Sequence, residues 1–348
     1  MKKNHYLHLL MLALLVFAAP SLLRAGDKKA VATGHQFCLV LKQDGSLWAF
    51  GNNDDGQLGD GTTQFRRKPV KVLDHVRQMS AGSYFSMALL EDGTLWTWGR
   101  NSNGQLGDGT TQERRLRPQK IMDGISSIDA GHGHALAVGN DGTLWTWGLN
   151  YSGQLGDGSV ADRNVPVRVM TGVRQVSADS DCTAVVKTDG SLWVWGDYTD
   201  KSKGAWVTVT TRRRSPVKML DGVRQVSVGS SHILAVMADG GLMAWGENSF
   251  GQLGTGTTDY LNTPVKIMDG VDKACAGSVY SLVRRNDGSL WGWGYNGCGQ
   301  LGLGNRDNQL RPVRIADKVG DFAAGTSVSL WITPAGELKI TGNITGDY

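Results

Sequence analysis

One octet returns seven times along this chain, and the spacing between returns limits what the polypeptide can become. The copies are DGSLWAFG (44–51), DGTLWTWG (92–99), DGTLWTWG (141–148), DGSLWVWG (189–196), DGGLMAWG (239–246), DGSLWGWG (287–294) and a worn AGELKITG (335–342). Their starts lie 48 to 50 residues apart. A period of that length, with a turn and aromatic residues in each copy, is the signature of a ring of four-stranded sheets. The fold class expected is therefore all-β, a seven-bladed β-propeller. One period runs through nearly all of the chain, so its 348 residues form one domain rather than two or three.

Each repeat resolves into four strands. In the second, VRQMSAG (76–82) is a short strand ending at glycine, and FSMALL (85–90) is the next. Asp92-Gly93 turns the chain, and TLWTW (94–98) is the third strand. An Asp-Gly pair between two β-like runs favours a type I′ hairpin, whose twist matches that of the strands. A loop, RNSNGQLGDGTT, leads to a fourth strand near residues 117–121. Proline recurs in that strand at Pro69, Pro118, Pro166, Pro216, Pro264 and Pro312. Because proline removes a ladder donor, the fourth strand is the outer edge of its blade. Glycine, at 48 residues, is about twice the usual ~7%, and it recurs at fixed phases, as turns require.

Antiparallel order fixes the geography. The glycine turn after strand one and the long loop after strand three share one face, and the Asp-Gly hairpins occupy the other. Trp96 and Trp98 alternate with Leu95 and Thr97, so each pair covers one side of the blade. Burying a tryptophan removes on the order of 200 Å² from water, a gross gain of about 5 kcal/mol before entropy is charged. Ten of the twelve tryptophans sit in these octets, which marks them as packing residues rather than a ligand platform.

AGHGHALAV (130–138), DGTLWTWG, N-x-x-GQLG-x-G and the later proline together resemble the RCC1 repeat, named for the regulator of chromosome condensation. The asparagine loop recurs from Asn53, Asn101, Asn150, Asn248 and Asn296. The resemblance runs from about residue 28 to the C-terminus and implies a seven-bladed propeller. Two repeats depart from it. The fourth replaces the GQLG loop with GDYTDKSKGAWVTVTTRRR (196–214), and the seventh stops after its third strand, so blade seven is expected to have three strands. The resemblance also implies a choice of functions. The namesake promotes nucleotide exchange on a small GTPase and binds chromatin through an inserted wedge and a tail, neither of which is evident here. Some secreted bacterial relatives bind and inhibit enzymes through one face of the ring.

The N-terminus stands outside the repeat. Lys2 and Lys3 precede a mostly apolar run over residues 7–19, then Pro20, and Leu23-Arg24-Ala25 offers a cleavage site, so residues 1–25 read as an export signal and 26–348 as the mature propeller. That segment carries three basic residues and no acid, so its removal lowers the net charge from +4 to +1. Near-neutral charge disfavours nucleic acid as the partner. Export to the periplasm or beyond is expected, with membrane association only through an uncleaved signal, and the protein is expected to act as a monomer. The four cysteines form no CxxC pair. Cys275 and Cys298 share a repeat and are the pair that a disulfide would join; Cys38 and Cys182 lie in strand-like segments and read as buried thiols.

No cofactor, metal or catalytic signature emerges. His134 and His232 occupy a slot that other blades fill with Phe37, Phe85, Cys182, Tyr280 and Val328, which makes them structural; His35 and His132 lie nearer the mouth of the ring. Asp60, Asp108 and Asp157 in GQLGDG lack the rest of a calcium loop and read as turn residues. Two features point to a partner. Basic residues recur ahead of the edge strand, at Arg66, Arg67 and Lys68, at Arg114, Arg115 and Arg117, at Arg163, at Arg212, Arg213 and Arg214, and at Arg306 and Arg311, as an arc on the outer rim of the loop face. Aromatic residues fall in or beside the same loops: Tyr84, Tyr151, Tyr198, Trp206 and Phe250. Trp206 ranks first because its loop abandons the pattern. The leading expectation is an exported, non-enzymatic module that captures a protein or anionic macromolecule on the loop face. The alternatives are an exchange factor for a small GTPase and a secreted enzyme with its site in the central channel.

Overall fold

The computed structural model describes residues 31–197 and 213–343. These form seven sheets, six of four strands and one of three, each antiparallel and ordered as in the chain. No helix occurs among the described residues. Blade two is representative: Val76–Ala81 is innermost, followed by Phe85–Leu90 and Leu95–Arg100, with Arg114–Met122 outermost. Blade one begins with a short inner strand, Val31–Thr33. Blade seven comprises Phe322–Ala324, Val328–Ile332 and Leu338–Gly342, three strands as expected.

The outer strand carries the prolines where the ladder is interrupted. In blade one, Ala49 pairs with Val70 and Gly51 with Arg66, and Pro69 falls in the irregular stretch between. A missing N–H costs nothing there. The hairpins differ from the expected type I′. Gly93 N–H bonds to Leu90 O at 3.0 Å and Leu90 N–H to Thr94 O at 2.9 Å, so the connection has three residues, and only Gly93 has a positive φ, 82°. This is a type I turn closed by a glycine bulge, and the extra residue removes the need for left-handed backbone at aspartate. Asp92 instead accepts the Thr94 N–H and hydroxyl at 2.9 and 2.7 Å.

Four of the hairpins also seat the first tryptophan of their octet. Trp96 Nε1 donates to Thr94 Oγ1 at 2.9 Å, and Trp48, Trp193 and Trp291 repeat the bond to Ser46, Ser191 and Ser289. The fifth copy has lost both partners together, with Gly241 and Met243 in their places. The second tryptophan goes deeper. Trp98, Trp147, Trp195, Trp245 and Trp293 are all buried between blades. Trp98 packs with Phe37, Leu39, Leu47, Leu58 and Met79, residues drawn from blades one and two. Its indole donates to Gln57 O of the preceding blade at 2.9 Å, and Trp147, Trp195 and Trp293 do the same to Gln105, Gln154 and Gln252. The GQLG loop of one blade thus receives the octet of the next, which is why both motifs keep the same phase.

Candidate partner-binding face

The loop after strand three is folded by a buried asparagine. Asn101 is wholly enclosed; its Oδ1 accepts the Leu106 N–H at 3.0 Å, and its Nδ2 donates to Thr110 O and Asp108. Asn53 and Asn150 do the same in blades one and three. The octet's last glycine lets this loop leave the sheet: at Gly99, φ is 104°, and a Cβ would stand 2.7 Å from Phe85 Cα. Asp108 closes the turn by accepting the Thr110 N–H at 3.0 Å. The GQLGDG aspartates therefore serve as turn residues.

That loop also claims part of the arginine arc. Arg66 contacts Asp60 at 2.5 Å, Arg115 contacts Asp108 at 2.8 Å and Arg163 contacts Asp157 at 2.8 Å. Burial works against ionising these carboxyls, but hydrogen bonds from Thr62, Thr110 and Ser159 and the facing arginines outweigh it and hold all three below the usual carboxylate range. In blades one to three, one arginine is thus committed to its own loop. Arg67 and Arg214 are exposed, while Arg114 reaches across to Asp54 O at 2.6 Å. Arg213 lies half-buried, with Nη1 3.5 Å from Met219 Sδ. Tyr198, Trp206 and Arg212 lie outside the described residues.

Among the aromatic candidates, Tyr84 sits at the mouth between His35 and His132, at ring separations of 5.2 and 6.3 Å. His132 is exposed, and its Nδ1 lies 3.0 Å from Ser83 Oγ. Tyr151 is 48% exposed; its hydroxyl donates to Asp181 of the next blade, and partial burial together with that bond pushes its pKa to about 12. Phe250 is 37% exposed and meets the Tyr295 ring edge-on at 5.1 Å. His134 and His232 are fully buried, each with Nε2 2.9 Å from a hydroxyl of the following blade, Thr183 or Ser281. Burial drives both pKa values down to about 3. All four cysteines are free, so Cys275 and Cys298 are not paired.

The inner strands line a central channel of about 870 Å³. Here the structure shows a device not read from the sequence. Gln78 clamps the next blade by donating to Ile128 O at 2.8 Å and accepting the Ile128 N–H at 3.2 Å. Gln175 holds Val226, and Gln225 holds Ala274, in the same way. The side-chain amide thus imitates a strand neighbour. Its signal was the repeated V-R-Q-[MV]-S at 76–80, 173–177 and 223–227. Among the described residues no group of three histidine, cysteine or acidic side chains is placed to hold a metal ion.

A model of RCC1-like domains matches residues 124–347, and models of the regulator of chromosome condensation (RCC1) repeat match residues 44–89 and 92–138. The chain belongs to the RCC1 repeat family. Human WBSCR16 is 25% identical, with a TM-score of 0.76 and 88% of each chain covered. Prp20p of Saccharomyces cerevisiae, 20% identical, shares the fold with a TM-score of 0.72 over 91% of this chain and 82% of its own. A 43-residue stretch is 46% identical to the human E3 ubiquitin-protein ligase HERC2; it is 12% of this chain and 1% of that protein. Within this RCC1-type ring, the loop face is where repeats differ most, since the fourth loop departs from the pattern there.

Proposed function

We propose that this RCC1-type propeller is an exported, non-enzymatic module that captures a protein partner on its loop face. One observation carries the reading. Phe65, Tyr151, Val160, Val165, Phe250 and Leu310, the large hydrophobic residues standing exposed among the described ones, all lie in the loop after strand three or in the first residues of strand four. Among the described residues the hairpin face offers none of that kind. Apolar side chains displayed on one rim, beside exposed Arg67 and Arg214, suit a partner surface that is apolar at its centre and acidic at its edge.

The test is affinity capture with residues 26–348. Replacing Tyr151 and Phe250 with alanine should abolish capture, and altering Trp206 with Arg212, Arg213 and Arg214 should weaken it. Capture unchanged by both sets would move the site off the loop face. A likeness to Prp20p, which is described as binding Gsp1p, keeps nucleotide exchange as a second reading. Accelerated nucleotide release from a small GTPase by the purified chain would favour it. Export is tested by N-terminal sequencing of the secreted or periplasmic fraction, which should begin at Gly26.

A further inference from the structure

The other end of the channel has chemistry that the loop-face reading does not use. The second residue of the inner strand is arginine in three blades, Arg77, Arg174 and Arg224, and all three line the channel where it opens on the hairpin face. Each is held along the wall by the neighbouring blade. Arg77 Nη2 donates to Ile125 O at 2.6 Å, Arg174 to Arg224 O at 3.0 Å and Arg224 to Asp272 O at 2.7 Å. A carbonyl fixes a guanidinium without neutralising it, so these contacts organise the charge and leave it in place.

Acids nearby are too few to cancel that charge. Asp272 serves both Arg284, whose Nε donates at 2.8 Å, and Arg224, at 4.0 Å. Lys273 is paired with Asp321. Among the described residues, no carboxylate lies within ion-pair distance of Arg77 or Arg174. The next acid down the channel, Asp129, is three residues further along its strand, about 10 Å deeper. Among the described residues the mouth therefore holds three more cations than acids, in a walled opening where solvent screening is reduced.

Ligand size follows from what surrounds the mouth. Radially outward stand the hairpin aspartates, among them Asp92, Asp189 and Asp287, exposed and held below the usual carboxylate range by hydrogen bonds from the Ser or Thr two residues on. An extended polyanion lying across this face would meet that acidic ring. A compact anion entering the mouth stays inside that ring, where the described cations outnumber the acids. We propose that the hairpin-face mouth of the channel binds a small multivalent oxyanion, held by Arg77, Arg174 and Arg224, whose forked donors suit phosphate and carboxylate oxygens.

Calorimetric titration of the full chain at low ionic strength tests this, with inorganic tripolyphosphate and citrate as separate arms that distinguish a phosphate from a carboxylate source. Binding by either probe is expected, weakened about tenfold by Arg174→Gln and strengthened by Ser126→Arg, which adds a cation at the position where blade three lacks one while leaving the three arginine contacts in place. Arg67→Gln, on the opposite face, should change nothing. Heat from neither probe, equal weakening by Arg67→Gln, or affinities unmoved by both Arg174→Gln and Ser126→Arg would overturn the assignment. So would a DNA duplex that binds more tightly than both probes through Arg174.

Discussion

The seam between blades one and two and the seam between blades four and five are built from the same repeat, yet they are held differently. At the first, Trp98 is buried and bonded to Gln57 O, and Ser86 Oγ donates to the same carbonyl at 2.8 Å. At the second, the GQLG sequence that supplies the glutamine carbonyl elsewhere is replaced, and Trp245, equally buried, has no hydrogen-bond partner at Nε1 among the described residues. The slot that lets His134, His232 and Tyr280 reach the following blade holds Cys182 there. What survives is the channel side: Gln175 still clamps Val226, and Ser177 Oγ accepts the Val228 N–H at 3.1 Å. Trp245 still packs with Cys182, Ala184, Val186 and Val194 of blade four, so among the described residues this seam is held by apolar packing and by the channel-side bonds.

The largest effect that would sharpen this contrast is Trp98→Ala, expected to cost about 3–5 kcal/mol in denaturant unfolding, with Trp245→Ala at the lower end because no hydrogen bond is lost with the ring. A melt unchanged by Trp98→Ala would place that side chain on the surface. Next comes the loop itself. Asn101→Ala strands the Leu106 N–H and should cost about 2–3 kcal/mol. A cost near zero would show that the asparagine does not fold the loop. Acid should act on the histidine seams. The unfolded chain takes up protons at His134 and His232 near pH 6.5, whereas the folded protein does so only near 3. Their contribution is therefore fully present above about pH 6.5 and is lost as pH falls, by about 2 kcal/mol for each histidine at pH 5. Stability curves between pH 7 and 5 should flatten when both are replaced by glutamine, and an unchanged slope would show that burial does not hold them neutral.

Much of the ring was legible because its signals are periodic. The octet spacing, the edge prolines and the early end of repeat seven each translate into strand order without knowledge of contacts. The hairpin type was missed because two-residue and three-residue turns share the Asp-Gly pair, and only the pairing of Leu90 with Thr94 separates them. The arc of arginine was half read. That Arg66 and Arg163 follow Asp60 and Asp157 by six residues could have shown them turned toward their own loop. The glutamine clamps escaped notice because a polar residue in a strand reads as solvent-facing until the channel is known to lie there. Where a partner would sit on the loop face depends on side-chain exposure, which no repeat encodes.

In four octets the second tryptophan fastens its blade to the loop before it, and Trp245 lacks that bond among the described residues. Denaturant unfolding of Trp98→Phe and Trp245→Phe measures it directly, since both lose the same volume but only the first loses a hydrogen bond. Trp98→Phe should be the more destabilising by about 1 kcal/mol. Equal costs, or a larger one at Trp245, would contradict the claim.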